Sequence, residues 1–229
     1  MTQIQLSLNR LRDDLKGSDA ELVAVSKYHP VEALSEAYAC GQRRFGESHV
    51  QELCMKEEVL PKDIEWHFIG HLQTNKVKYI VPFVSMIHAV DSMKLLREID
   101  RQASKVNRRV ECLLQVHIAQ EDTKYGFTPE ELLRVIDEGE WRCLEHVHIA
   151  GLMCMATNTD DGNQIGMEFR SVRELFDRVK ALYFNDDDGF RHLSMGMSHD
   201  YRIAVREGST LIRVGSLIFG ERNYETKCT

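Results

Sequence analysis

The sequence has no Cys-x-x-Cys pair, no excess of basic charge, no apolar run long enough to span a bilayer, and no repeat or low-complexity tract. Each absence closes off a class. The six cysteines, Cys40, Cys54, Cys112, Cys143, Cys154 and Cys228, lie far apart, which argues against a disulfide scaffold and for reduced thiols in a cytoplasmic protein. No zinc-ligand spacing is visible. A formal net charge of −7 disfavours a nucleic-acid backbone or an anionic membrane as principal partner. The opening residues, Met1 to Leu6, run into charged residues without an apolar signal core, so the chain is expected to stay in the cytosol. No linker, heptad pattern or charged tail marks a domain boundary or an interaction module. What remains is a protein of 229 residues suited to a small molecule, expected as a single domain over residues 1–229.

Apolar strand-like runs alternate with segments of helical period. The strand candidates are residues 22–26, 44–46, 66–70, 86–90, 111–118, 146–152, 192–195 and 210–214. Helical periodicity covers 31–40, 93–106, 129–138, 164–181 and 200–207. The order is strand then helix throughout. Eight such units in a chain of this length predict an α/β fold, a single (β/α)8 TIM barrel, with an open six-stranded sheet as the competing arrangement. The acidic stretch from Asn185 to Gly189 reads as a turn before strand seven.

The first strand ends in Val25-Ser26-Lys27, followed by Tyr28-His29-Pro30. In a barrel of this kind reacting groups project from the C-terminal strand ends, and a partly desolvated amine there can attack a carbonyl to form a Schiff base. The plain alternative is a surface lysine flanking a strand. Loops after strands seven and eight of such barrels commonly bind phosphate. Here they read Ser194-Met195-Gly196-Met197-Ser198-His199-Asp200 and Arg213-Val214-Gly215-Ser216. Ser198 is placed to cap the following helix, Gly215 to let the backbone approach an anion, and Ser216 to offer a hydroxyl. Singly, each is an ordinary turn. A lysine on strand one opposite a phosphate cradle on strands seven and eight is what a phosphorylated aldehyde cofactor requires.

These residues also carry a family resemblance. The segments Ala24-Val25-Ser26-Lys27, Phe45-Gly46-Glu47, His67-Phe68-Ile69-Gly70-His71-Leu72-Gln73-Thr74-Asn75-Lys76, Gly151-Leu152-Met153, Ser194-Met195-Gly196-Met197-Ser198 and the stretch from Gly208 to Arg222 resemble the pyridoxal phosphate homeostasis protein family. The resemblance runs from about Leu22 to Tyr224. It implies a barrel similar to the N-terminal domain of alanine racemase, with pyridoxal 5′-phosphate (PLP) bound as a Schiff base on Lys27. By the same resemblance Ser198, Gly215 and Ser216 hold the phosphate and Arg213 faces the pyridine nitrogen. The family pattern is broken where Ser48 replaces the usual asparagine, so that Ser48 is expected to reach the cofactor through water. It is broken again at His117 and at Tyr125, within Thr123-Lys124-Tyr125-Gly126-Phe127.

A cationic arginine at the pyridine nitrogen disfavours its protonation, so the ring stabilises an α-carbanion poorly. The resemblance therefore implies a protein that buffers or delivers PLP, with PLP-dependent apoenzymes as candidate recipients, and does not turn over a substrate. The alternative is an amino-acid racemase whose second base comes from His67, His199 or Tyr201. His67 is otherwise a residue that stacks on the ring or bonds within the core. In alanine racemase the second base belongs to an additional domain, for which this chain reads as too short; a monomer is expected. Asn75 and Lys76 are candidates for cofactor handover or a solvated face. Asp91 reads equally as a helix cap or a site residue, Arg222 and Tyr224 as residues that close or guard the mouth, and Met153, Met155, Met195 and Met197 as packing around it.

Overall fold

The computed structural model describes residues 1–119 and 125–221. Eight parallel strands close on themselves in sequence order, β1(Glu21–Val25), β2(Arg44–Glu47), β3(Glu65–Phe68), β4(Met86–Val90), β5(Val110–His117), β6(Val147–Met155), β7(His192–Ser194) and β8(Leu211–Val214). The helices are α1(Gln3–Asp14), α2(Val31–Ala39), α3(Val50–Val59), α4(Val77–Ile80), α5(Met93–Lys105), α6(Pro129–Glu138), α7(Gly162–Tyr183), α8(Tyr201–Arg206) and α9(Ser216–Phe219). From β1 onward each strand is followed by a helix, so the expected (β/α)8 barrel is the architecture observed, and the open sheet is excluded by the pairing of β1 with β8. Among the described residues no helix is long and apolar enough to cross a membrane.

Two separate cores follow from the period-2 alternation of strands buried on both faces. One packs the outer strand faces, including Trp66, Phe68 and Ile87, against helix residues such as Leu53, Ile99, Phe169 and Val172. The other fills the barrel with Val23, Met86, Ala89, Leu113, Ala150, Met153 and Leu211. The inner layer also carries His67, His88, Ser194 and Arg213, all buried. Polar groups there survive only if they satisfy one another.

The departures from expectation have local causes. β3 stops at Phe68 because the chain turns at Gly70, where a Cβ would lie 2.5 Å from the Ser48 carbonyl oxygen. β6 runs three residues past the expected end because it stays paired with β5 up to Met155. A bulge precedes Gly151, whose φ of +150° brings its backbone where a Cβ would sit 1.8 Å from the His192 carbonyl oxygen. Helix α3 had no sequence signal. Its buried face is Val50, Leu53 and Lys56, and a lysine on the core-facing stripe removes the apolar period. Asp91 does not cap α5; Ser92 does, accepting from the Leu95 amide, while Asp91 pairs with His71. Asp187 accepts from the Gly189 amide in the acidic stretch, which is a turn as expected.

Candidate functional site

The candidate site lies at the C-terminal ends of β1, β2, β7 and β8. Ala24 pairs with Val214 and with Phe45, so β1 stands directly between β8 and β2. The Lys27 segment and the Gly215 turn are thus neighbours side by side, not opposite each other across the barrel. The contact is close: a Cβ on Gly215 would lie 2.8 Å from the Val25 carbonyl oxygen and 3.2 Å from its Cβ. Only glycine allows that approach without displacing backbone.

Ser198 has a different partner from the one expected. Helix α8 begins at Tyr201 with no side-chain cap, and Ser198 Oγ accepts from the Gly215 amide at 3.3 Å. This bond ties the turn after β7 to the turn after β8. Asp200 Oδ1 steadies the first turn by accepting from the Met197 amide at 2.5 Å. Gly215 precedes α9, and Ser216 is its exposed first residue. The amides of Ser216 and Leu217 precede the first intrahelical bond of α9, and the Ser216 hydroxyl stands beside them.

Lys27 is half-buried at the end of β1. Both of its chain neighbours are anchored. Ser26 Oγ donates to Glu47 Oε1 at 2.6 Å, and the Tyr28 amide donates to Glu52 Oε1 at 2.6 Å. Tyr28 has a φ of +66°, a left-handed conformation that a bulky residue keeps only when its surroundings hold it there. Ser48, half-buried at the end of β2, shares a bond of 3.1 Å with His49 Nδ1, and His49 Nε2 lies 3.3 Å from the Tyr28 hydroxyl.

Arg213 lies one layer deeper, level with Val23. Its Nη1 donates to Ser194 Oγ at 2.6 Å and its Nη2 to the Cys154 carbonyl at 2.9 Å. Ser194 Oγ lies 2.9 Å from His88 Nδ1, and His88 Nε2 lies 2.8 Å from His67 Nδ1. Arginine only donates, so Ser194 Oγ accepts from Arg213. With the Ser194 hydroxyl hydrogen assigned to His88 Nδ1, His88 carries its proton on Nε2 and donates to His67 Nδ1. His67 is left with its proton on Nε2. Burial depresses both histidines, His67 to about 3 with Arg44 adding to the effect, and His88 well below the ordinary value with His67 and Arg213 adding to it. Burial also lowers Arg213. The relay is therefore one permanent cation followed by neutral groups.

His67 faces the other end of the barrel from the strand end that carries Lys27. It lines a cavity of about 780 Å³ at the N-terminal end of the barrel, with Glu21, Glu65 and Glu111 among its neighbours, and reaches Arg213 only through His88 and Ser194. Of the other candidate bases, Tyr201 donates from its hydroxyl to Asp14 Oδ2 on α1 at 2.6 Å, and His199 Nε2 sits 3.3 Å from Asp200 Oδ2. His117 is half-buried at the end of β5, where its amide bonds the Phe127 carbonyl. Thr123, Lys124, Arg222 and Tyr224 lie outside the described residues. Sequence reading missed His88, Ser194, Glu52 and Lys56. His88 lies in an apolar run, Glu52 and Lys56 in a helix without an apolar period, and Ser194 at the start of the segment from Ser194 to Asp200; only a bonding partner distant in sequence gives each its meaning.

Two small-residue turns beside the Lys27-bearing end of β1, on a closed parallel barrel, are the features set against known proteins. The chain matches the alanine racemase N-terminal domain over residues 1–223. It is 41% identical over 206 residues to the pyridoxal phosphate homeostasis protein of Aquifex aeolicus, covering 90% of this chain and 88% of that one. It is 36% identical over 238 residues to the protein of the same name from Homo sapiens, covering 99% and 86%. Among solved structures, PipY of Synechococcus elongatus PCC7942 with PLP bound superimposes with a TM-score of 0.86 at 37% identity, over 95% of this chain and all of that one. Alanine racemase from Bartonella henselae, at 14% identity and a TM-score of 0.69, shares the fold. The chain belongs to the pyridoxal phosphate homeostasis protein family.

Proposed function

We propose that this protein binds pyridoxal 5′-phosphate as a Schiff base on Lys27 and serves intracellular vitamin B6 homeostasis, buffering or delivering the cofactor without turning over a substrate. The observation that carries the reading is the direct adjacency of the Lys27 segment to the glycine turn of β8, itself tied by Ser198 to the turn of β7. Names of relatives and the PLP-bound state of PipY support it.

The residues present fit the cofactor. Ser198, the Ser216 hydroxyl and the amides that open α9 are the donor set for a phosphate, and the close approach at Gly215 leaves the turn bare of side chain. Arg213 spends both terminal nitrogens on the protein, and among the described residues no bond is made to its Nε, which is the group assigned to the pyridine nitrogen. Ser48 contacts the cofactor through water in this reading. His67 acts from behind, holding the relay that fixes Arg213, rather than by stacking on the ring.

When bound, PLP supplies an aldehyde for covalent capture and an electron-withdrawing ring. Arg213 decides how strongly that ring withdraws. A guanidinium fixed by Ser194 and the Cys154 carbonyl has no proton to give up at neutral pH, so a pyridine nitrogen held against it would stay unprotonated and the ring would withdraw electrons weakly. The second base that a racemase needs is not supplied by Tyr201, engaged with Asp14, nor by His67, buried behind Arg213. The protein is expected to act in the cytoplasm, as a monomer that hands PLP to apoenzymes.

The test is direct. Purified protein reconstituted with PLP should show the visible absorbance of a lysine imine, abolished by borohydride and absent in Lys27→Ala. The same preparation should exchange no α-proton of common amino acids at enzyme-like rates. A full-strength band in Lys27→Ala, or steady racemisation by wild type, would overturn the reading.

A further inference from the structure

Lys56 is buried to 1% exposure, a costly place for an ammonium, and it sits on the outer wall of the barrel rather than in the mouth. Its three donors are all used. Nζ donates to the Ser26 carbonyl at 2.8 Å, to Glu47 Oε1 at 2.7 Å and to Glu52 Oε1 at 2.7 Å. The same two carboxylate oxygens accept from the Ser26 hydroxyl and the Tyr28 amide. The peptide groups before and after Lys27 therefore end on one ammonium. The Ser26 carbonyl also accepts from the His29 amide, closing a tight turn around residues 26–29 in which Tyr28 keeps its positive φ.

We infer that Lys56 is a positioning residue for Lys27: with Glu47 and Glu52 it locks residues 26–28, so that the Lys27 amine is presented to an incoming aldehyde in one orientation. The inference rests on the reading of Lys27 above. In the capture step the neutral amine nitrogen bonds to the aldehyde carbon, its two hydrogens leave with the carbonyl oxygen as water, and a C=N bond remains. That step needs a fixed approach between nitrogen and carbon, and a floppy 26–29 turn spreads the amine over many positions. Packing does not explain the lysine. An apolar side chain of similar length would fill the α3 interface without desolvating a charge. Glu47 is held in the same cluster, fully buried, and among the described residues its Oε2 has no partner, so the site accepts an unsatisfied oxygen to keep Oε1 on Ser26 and Lys56.

The test compares wild type, Lys56→Met, Lys56→Arg, Glu52→Gln and Lys27→Ala by two measurements. Amide hydrogen exchange of the 24–30 segment is read on each protein without PLP, and the amount of PLP fixed to Lys27 by borohydride at one set concentration is read by mass. In Lys56→Met the Tyr28 and His29 amides should exchange about tenfold faster while β5 and β6 are unchanged, as loss of a charge-assisted anchor requires. Trapping should fall by a similar factor, with Lys56→Arg recovering most of it. Should Lys56→Met fail to fold, Glu52→Gln carries the test through the Tyr28 amide, with a smaller shift of both readouts in the same direction. Unchanged trapping in a folded variant, whether or not exchange rises, overturns the inference and leaves Lys56 a merely structural residue. Wild type that traps no PLP refutes the cofactor reading instead, and unaltered exchange in the variants then refutes the lock as well.

Discussion

Arg213 Nη1 donates to Ser194 Oγ at 2.6 Å, and that bond begins a relay of four side chains through the interior of the barrel. Ser194 is the hinge of this arrangement, because it joins Arg213 to His88. Ser194→Ala should leave Arg213 Nη1 and His88 Nδ1 without partners in a buried setting. A loss of about 1–3 kcal/mol in unfolding free energy is expected, read by denaturant titration. A variant as stable as wild type would mean that water replaces the hydroxyl.

The neutral histidines make the fold sensitive to acid. His67 has its folded pKa depressed to about 3 and His88 well below its ordinary value, so the unfolded chain binds protons that the folded chain refuses. Their stabilising contribution is complete above about pH 6.5 and is lost as pH falls towards 3, at up to about 1.4 kcal/mol per pH unit for each histidine. Replacing His67 by leucine should flatten the slope of stability against pH between 6 and 4. Parallel slopes for the two proteins would refute the assignment.

Glu47 acts with the opposite sign. Burial raises its carboxyl to about 7, although Lys56 pulls it down, so this group favours the folded state most below its unfolded value and loses that contribution as pH rises through 7. In Glu47→Gln the decline between pH 5 and 8 should disappear, measured as the difference in denaturation midpoint at the two pH values.

Gly215→Ala tests the close approach of the β8 turn to β1. Gly215 has a φ of −122°, so backbone strain plays no part, and the obstacle is the Val25 carbonyl 2.8 Å from the new methyl. Because backbone cannot move aside cheaply, a cost of about 1–3 kcal/mol is expected in thermal or chemical unfolding. PLP retention after gel filtration should fall with it. Undiminished retention would show that the turn does not form the phosphate floor.

Much of the fold was legible because it is written in local periods. The Val-rich run before Lys27, the strand at Met86–Val90 and the helix at Pro129–Glu138 with its Thr128–Glu131 capping box each declare their conformation from a few consecutive residues. Helix α3 stayed hidden because Lys56 occupies a core-facing position, and the helix cap expected of Ser198 is not formed because its oxygen accepts from Gly215, 17 residues away. His88 looked like one more position in a buried strand; its bond to Ser194 spans 106 residues.

The sequence by itself determined the succession of strands and helices, the lysine at the end of the first strand and the small-residue turns after the last two, because these depend on the chemistry of neighbours along the chain. Only the tertiary structure decided that β1 lies beside β8, that Arg213 is fixed through Ser194, and that Lys56 anchors the peptides around Lys27. Those relationships arise when the sheet closes. Barrel closure brings into contact residues far apart in the chain, and no period or motif records which buried donor will meet which acceptor.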